Sequence, residues 1–395
     1  MRQQALRSAA VAALVVATLA GCAVSRPDLH PGPWAPPEPA AAVDPVSAYA
    51  QARLASMTLE EKIASLLMVH VGGTDPAVIR EYLDRFGLAG TMYLANNVPG
   101  SAASLAGISS RISADADLPV LIAIDQEGGI VRRLTEDTGP AASALRGQSP
   151  SAAEEAFADR AALVASAGVT INFGIVADVT ADTASFIYPR VLGTSASAAA
   201  PRVAAAVTGE SGVVLSTLKH FPGHGSVAGD SHVSIPRTGM SYDQWWSSQA
   251  PPFAAGIDAG AELVMMGHLD YAGIADGPAS LSPEWVRILR DDLGFDGIIV
   301  TDDMSMLERS GVAAYADQRR NAVAALAAGD TLLLYVGPVD VRGVVRAVAA
   351  AVEEGEIDEA VIDDAALRLL ELRRGMSGRT GPFVHCGEAC AEFAI

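Results

Sequence analysis

The sequence predicts an α/β fold, a parallel (β/α)8 TIM barrel forming one domain, on three observations. Eight short apolar runs recur, at 64–71, 90–94, 120–124, 170–176, 214–220, 263–268, 297–301 and 331–336. Strands apolar on both faces mark a parallel sheet covered by helices. Stretches of helical composition separate them, at 75–86, 152–167, 198–210, 283–293 and 313–328, and such alternation is the α/β pattern. Lys, His and Asp stand repeatedly where the runs end, and in barrels the loops leaving the strand ends carry the functional side chains. A doubly wound open sheet is the alternative, and the spacing between runs favours the barrel.

Taken in order, the chain opens with a processing signal. Arg2 and Arg7 make a basic start, and residues 8–19 form an apolar run too short to span a bilayer. Leu19-Ala20-Gly21-Cys22 resembles a bacterial lipobox, which implies lipidation of Cys22 and a membrane contact through that anchor alone. An ordinary secretory signal with an incidental Cys is the other reading. Residues 1–21 are therefore read as a signal peptide. Residues 22–45, with Pro27, Pro31, Pro33, Pro36, Pro37, Pro39 and Pro45, read as a semi-rigid tether.

The barrel domain is expected over 46–376. Its last element is an amphipathic helix with Ile357, Val361, Ala365, Leu369 and Leu372 on one face. The tail, 377–395, carries Cys386 and Cys390, whose spacing fits a small disulfide loop in an exported protein. Half of the 395 residues are hydrophobic, enough for a large core, and the formal net charge of −19 argues against a nucleic-acid partner.

The chemistry concentrates at run ends. The run at 297–301 stops at Asp302 and Asp303, and a carboxylate there suits attack on a sugar's anomeric carbon. Lys219-His220-Phe221-Pro222-Gly223-His224-Gly225 leaves the fifth run and is followed by Asp230-Ser231-His232. Glycines suit a loop that must reach over a pocket. An Asp two residues from a His can orient the imidazole and raise its basicity. His220 and His224 sit four apart on a Pro/Gly loop rather than a helix, so they do not make a zinc pair, and no metal or cofactor is expected. Asp125-Gln126-Glu127-Gly128-Gly129 leaves the third run, and His268 the sixth, either as a pocket residue or as a satisfied core histidine.

Together these motifs resemble glycoside hydrolase family 3, in its single-domain β-N-acetylglucosaminidase branch. The resemblance extends from about Met57 to about Arg374, nearly the whole folded region. It implies Asp302 as nucleophile, His232 as general acid/base and Asp230 as its orienting partner. It implies sugar contacts from Asp125, Arg133, Arg190, Lys219 and His220, the last two as hydrogen-bond donors to hydroxyls. Asp303 becomes a supporting group at a helix start, Glu127 a structural carboxylate, and Asn172 and Asp178 mostly structural. Met304, Ser226, Ile130 and the segment Val191-Leu192 depart from the family pattern, leaving Arg190 the weakest match. The expected activity is retaining removal of terminal β-linked N-acetylglucosamine by a monomer, plausible on cell-wall fragments. Another exo-β-glycosidase of the family, such as a β-glucosidase, or a catalytically silent sugar-binding lipoprotein are the alternatives.

Overall fold

The computed structural model describes residues 44–384. The signal, Cys22, nearly all of the tether, Cys386 and Cys390 lie outside the described residues.

Eight strands form one parallel sheet: β1 (Leu67–Val69), β2 (Gly90–Tyr93), β3 (Leu121–Ile124), β4 (Ile171–Val176), β5 (Leu215–Phe221), β6 (Leu263–Met266), β7 (Ile298–Thr301) and β8 (Leu333–Tyr335). Neighbours follow chain order, and β8 pairs with β1 through Leu67 and Leu333. A parallel bridge between Val300 and Leu332 joins β7 to β8 and closes the cylinder. Every strand but β5 is buried throughout, and β5 is buried beyond its first residue. That is the burial expected of a sheet with side chains filling its inside and helices covering its outside. All eight predicted runs contain a strand.

The first is shorter than the run that predicts it. Thr58 and Glu61 form a reciprocal capping box that starts a helix at Leu59–Ala64, so the backbone becomes extended only at Leu67. The helix expected over 313–328 begins instead at Gln318, where Asp317 caps it; Ala313–Tyr315 is a separate 3₁₀ turn. At the ends, the helix Pro45–Leu54 is capped by Asp44 and packs on the last helix, Glu359–Ser377. Within the described residues after 377, Gly381 accepts from Arg374 through its carbonyl and Phe383 meets Tyr49 edge-on at 5.5 Å.

One packing feature bears directly on the site. Phe221, at the end of β5, sits edge-on to Trp245, Phe253 and Trp285 at 5.2–5.8 Å. Trp245 also donates its indole N–H to the Pro222 carbonyl, 2.8 Å away. Edge-to-face aromatic contacts add specific geometry to buried area, so the root of the loop after β5 is fixed from behind.

Candidate active site

At the C-terminal ends of the strands lies a cleft of about 360 Å³, near the small end of the range for ligand pockets. Its floor is a buried charge network. Lys219, near the end of β5, reaches Asp125 Oδ1 at 2.9 Å and Glu127 Oε1 at 2.7 Å. Arg133 donates to the other Asp125 oxygen at 2.8 Å. Arg190 grips Glu127 with both branches of its fork, at 2.9 and 2.7 Å. Burial alone would push the carboxyls of Asp125 and Glu127 up, but Lys219 with Arg133 or Arg190 reverses this and holds both below the ordinary carboxylate range. Burial would likewise lower Lys219, yet its two carboxylates hold it above the ordinary lysine value, so it stays cationic.

Asp302 follows β7 and lines the same cleft. Its backbone N–H donates to the Met266 carbonyl at 2.8 Å, and its Oδ1 accepts the Asp303 amide at 2.8 Å. Burial would raise its carboxyl; His220, His268, the Asp303 amide and Lys219 outweigh that and hold it below the ordinary carboxylate range. Asp303 has the supporting role expected of it. Its carboxylate accepts the Ser305 amide and hydroxyl, the Val336 amide and the Arg309 guanidinium. It thereby takes the first amide of the short helix Ser305–Arg309, just ahead of its N-cap Met304, and ties β7 to the exit of β8.

His232 and Asp230 sit on the loop that leaves β5. His232 Nδ1 lies 2.6 Å from Asp230 Oδ1, which also accepts the His232 amide at 3.0 Å. These contacts outweigh the upward pull of burial and hold the Asp230 carboxyl below its ordinary value. The loop's glycines have specific uses. Gly229 has φ of 112°, and a Cβ on Gly225 would stand 2.1 Å from the Val179 carbonyl.

The cleft therefore gathers Asp125, Arg133, Arg190, Lys219, His220, His232 and Asp302, with Asp230 bound to His232. His268 is not in it. Wholly buried, it bonds to the Ser280 hydroxyl at 2.6 Å and the Asp303 carbonyl at 2.9 Å, so it is a satisfied core histidine that supports the Asp302 segment from behind. Arg190 lines the cleft while its Nε and one terminal nitrogen bind Glu127. His220 Nδ1 faces Asp178 Oδ2 at 2.8 Å, and its Nε2 lies 3.4 Å from the Arg190 guanidinium. Among the described residues, no group of three or more His, Cys, Asp or Glu is arranged to hold a metal ion.

The sequence profile described as the glycosyl hydrolase family 3 N terminal domain matches residues 58–372. The chain belongs to glycosyl hydrolase family 3. A beta-hexosaminidase of Xanthomonas oryzae pv. oryzae is 35% identical over 268 residues, 63% of this chain and 78% of that protein. A beta-hexosaminidase of Stenotrophomonas maltophilia is 36% identical over 259 residues, 61% of this chain and 75% of that protein. The structure of a family 3 β-N-acetylglucosaminidase from Paenibacillus sp. superposes with a TM-score of 0.76 at 29% identity, covering 84% of this chain. The match spans 65% of the Paenibacillus chain, just under two thirds of its length. M tuberculosis LpqI superposes with a TM-score of 0.73 at 27% identity, over 87% of this chain and 98% of that one.

Asp178 is the buried support expected of it, and one residue that lines this family 3 cleft, Phe186, escapes sequence reasoning. Asp178, read as mostly structural, takes both the His220 ring and the His220 and His224 amides. It stands just past β4, at a strand exit like Asp125. Phe186 lines the cleft and meets His224 edge-on at 4.5 Å and His232 at 6.2 Å. Nothing in its local sequence marks it.

Proposed function

We propose that this family 3 hydrolase is a retaining exo-β-N-acetylglucosaminidase that removes terminal, non-reducing β-linked N-acetylglucosamine. The observation that carries the reading is an ionised Asp302 on the cleft floor together with a His232–Asp230 pair at the cleft's edge. The names of the curated relatives favour the acetylated sugar. Lys219, Asp125 and Arg133 offer one cation–anion–cation run to the hydroxyls of a single ring.

In the first step Asp302 attacks the anomeric carbon and the glycosidic C–O bond breaks. The proton on His232 Nε2 passes to the leaving oxygen, while Asp230 holds Nδ1–H. In the second step neutral His232 takes a proton from water, the water oxygen attacks the same carbon, and the bond to Asp302 breaks. Two inversions give net retention. An imidazole at this place avoids a second negative charge beside Asp302. Loop closure over the bound sugar would bring His232 onto the leaving oxygen.

Initial rates on the 4-nitrophenyl β-glycosides of N-acetylglucosamine and glucose, for wild type and Asp302→Ala, test this. The acetylated sugar is expected to be cleaved faster, with the rate falling by on the order of 10⁴-fold in the variant. Preference for glucose, or an active variant, would overturn the assignment. We also propose that the enzyme is exported and lipid-anchored at Cys22, placing it near cell-wall fragments as substrates. The lipobox supports this, and a wild-type chain that fractionates no differently from Cys22→Ser would refute it.

A further inference from the structure

We propose that His224 and Ser231 form a latch that positions the Asp230–His232 pair over the cleft, so that both act as positioning residues for proton transfer. This rests on the acid/base role given above to His232. Ser231 sits between the two members of the pair, and its Oγ lies 3.0 Å from His224 Nε2. Among the described residues this is the only hydrogen bond that joins residues 230–232 to the chain outside 230–234. The others, from the Val233 amide, the Ser234 hydroxyl and His232 itself, all return to Asp230. Without the latch, the pair's hydrogen bonds would all lie within its own turn, with only the Phe186 edge packed against His232.

The anchor itself is buried. His224 is 1% exposed, its amide donates to Asp178 Oδ1 at 2.6 Å, and Phe186 packs edge-on against its ring. Asp178, itself fully buried, binds His220 with the same carboxylate. One buried group thus references both a cleft-floor histidine and the root of the catalytic loop. Burial pushes the His224 imidazole down to about 4, so the ring stays neutral across the neutral pH range. Its Nδ1 is buried without a partner. A stranded lone pair costs less than a stranded N–H, which assigns the proton to Nε2, donated to Ser231 Oγ. The Ser231 hydroxyl proton is then free toward the cleft that Ser231 lines.

The test is a leaving-group comparison of wild type, Ser231→Ala, His224→Gln, His232→Ala and the double variant Ser231→Ala/His232→Ala. The substrates are 4-nitrophenyl N-acetyl-β-glucosaminide, which needs little acid assistance, and the unactivated β-linked disaccharide of N-acetylglucosamine. Ser231→Ala is expected to lower kcat/KM on the disaccharide by roughly tenfold, about the worth of one placed hydrogen bond, with little change on the aryl glycoside. Adding Ser231→Ala to His232→Ala should cost nothing more. His224→Gln, which keeps a donor, should fall between wild type and Ser231→Ala. Thermal unfolding verifies that each variant folds. An equal loss on both substrates, or an additive loss in the double variant, would overturn the latch alone. A His232→Ala variant indifferent to the leaving group would overturn the acid/base reading and the latch with it.

Discussion

Lys219 and His232 belong to one stretch of chain and line one cleft, yet their surroundings are opposite. The Lys219 side chain is 3% exposed and its ammonium is shared by two carboxylates; the His232 side chain is 60% exposed and has one hydrogen-bonding partner, Asp230. The floor residues leave strand ends fixed by the barrel's ladder, and their charges are buried in pairs. The loop residues ride on a glycine-bounded turn. Recognition of one sugar ring calls for donors and acceptors that do not move, because charged hydrogen bonds are worth most when prepaid in a dry site. Proton delivery to a leaving group of variable size calls for access. On the function proposed above, dividing the two tasks between strand ends and a loop would let each be met without compromising the other.

That division can be broken experimentally. The largest effect is expected for His232→Ala: kcat/KM on an unactivated glycoside should fall by on the order of 10²–10⁴-fold. Stability, measured by urea unfolding, should stay within about 0.5 kcal/mol of wild type, as for other exposed positions. A marked loss of stability would mean that the loop is a structural element and the contrast is false.

Lys219→Met should do the reverse. It strips one cation from Asp125 and Glu127, so a destabilisation of about 3 kcal/mol is expected together with a kcat/KM loss on the order of 10²-fold. Unchanged unfolding would show that Arg133 and Arg190 suffice to hold the floor.

The smallest effect sharpens the picture of the wall behind the floor. Glu210 is fully buried, with Oε1 accepting from Asn172 at 2.6 Å and Oε2 unpartnered. Burial pushes its carboxyl up to about 8, against an ordinary 4.5. Between those values the native carboxyl keeps a proton that the unfolded chain has released, so stability falls as pH rises through the window. Glu210→Gln removes that ionisation. Its unfolding midpoint should gain on wild type from about pH 5 to about pH 8, and a constant difference would show that Glu210 is charged in the fold. His224 gives the opposite sign. With its imidazole pushed down to about 4 from 6.5, it contributes a loss of stability as pH falls through that interval.

Much of this was legible in the chain. Asp125, Lys219 and Asp302 stand where apolar runs stop, and a polar residue there reads directly as a side chain at the barrel's functional face. Asp230 and His232 were legible through their spacing and the glycines around them. The trimmed first strand was legible too, for Thr58 and Glu61 spell a capping box, but the apolar run masked it.

What the sequence determined by itself was local: the alternation of strand and helix, the caps, the turn residues and the places where charges leave the strands. Only the tertiary structure decided which of those groups meet. Barrel closure and strand register brought Lys219 between Asp125 and Glu127, engaged the Arg190 fork with Glu127, placed Asp178 under two histidines, and buried His268 behind the site. Each depends on contacts between residues far apart in the chain. Periodicity and turn chemistry report the backbone's local preferences, whereas partner choice, burial and the resulting charge states follow from how the elements pack.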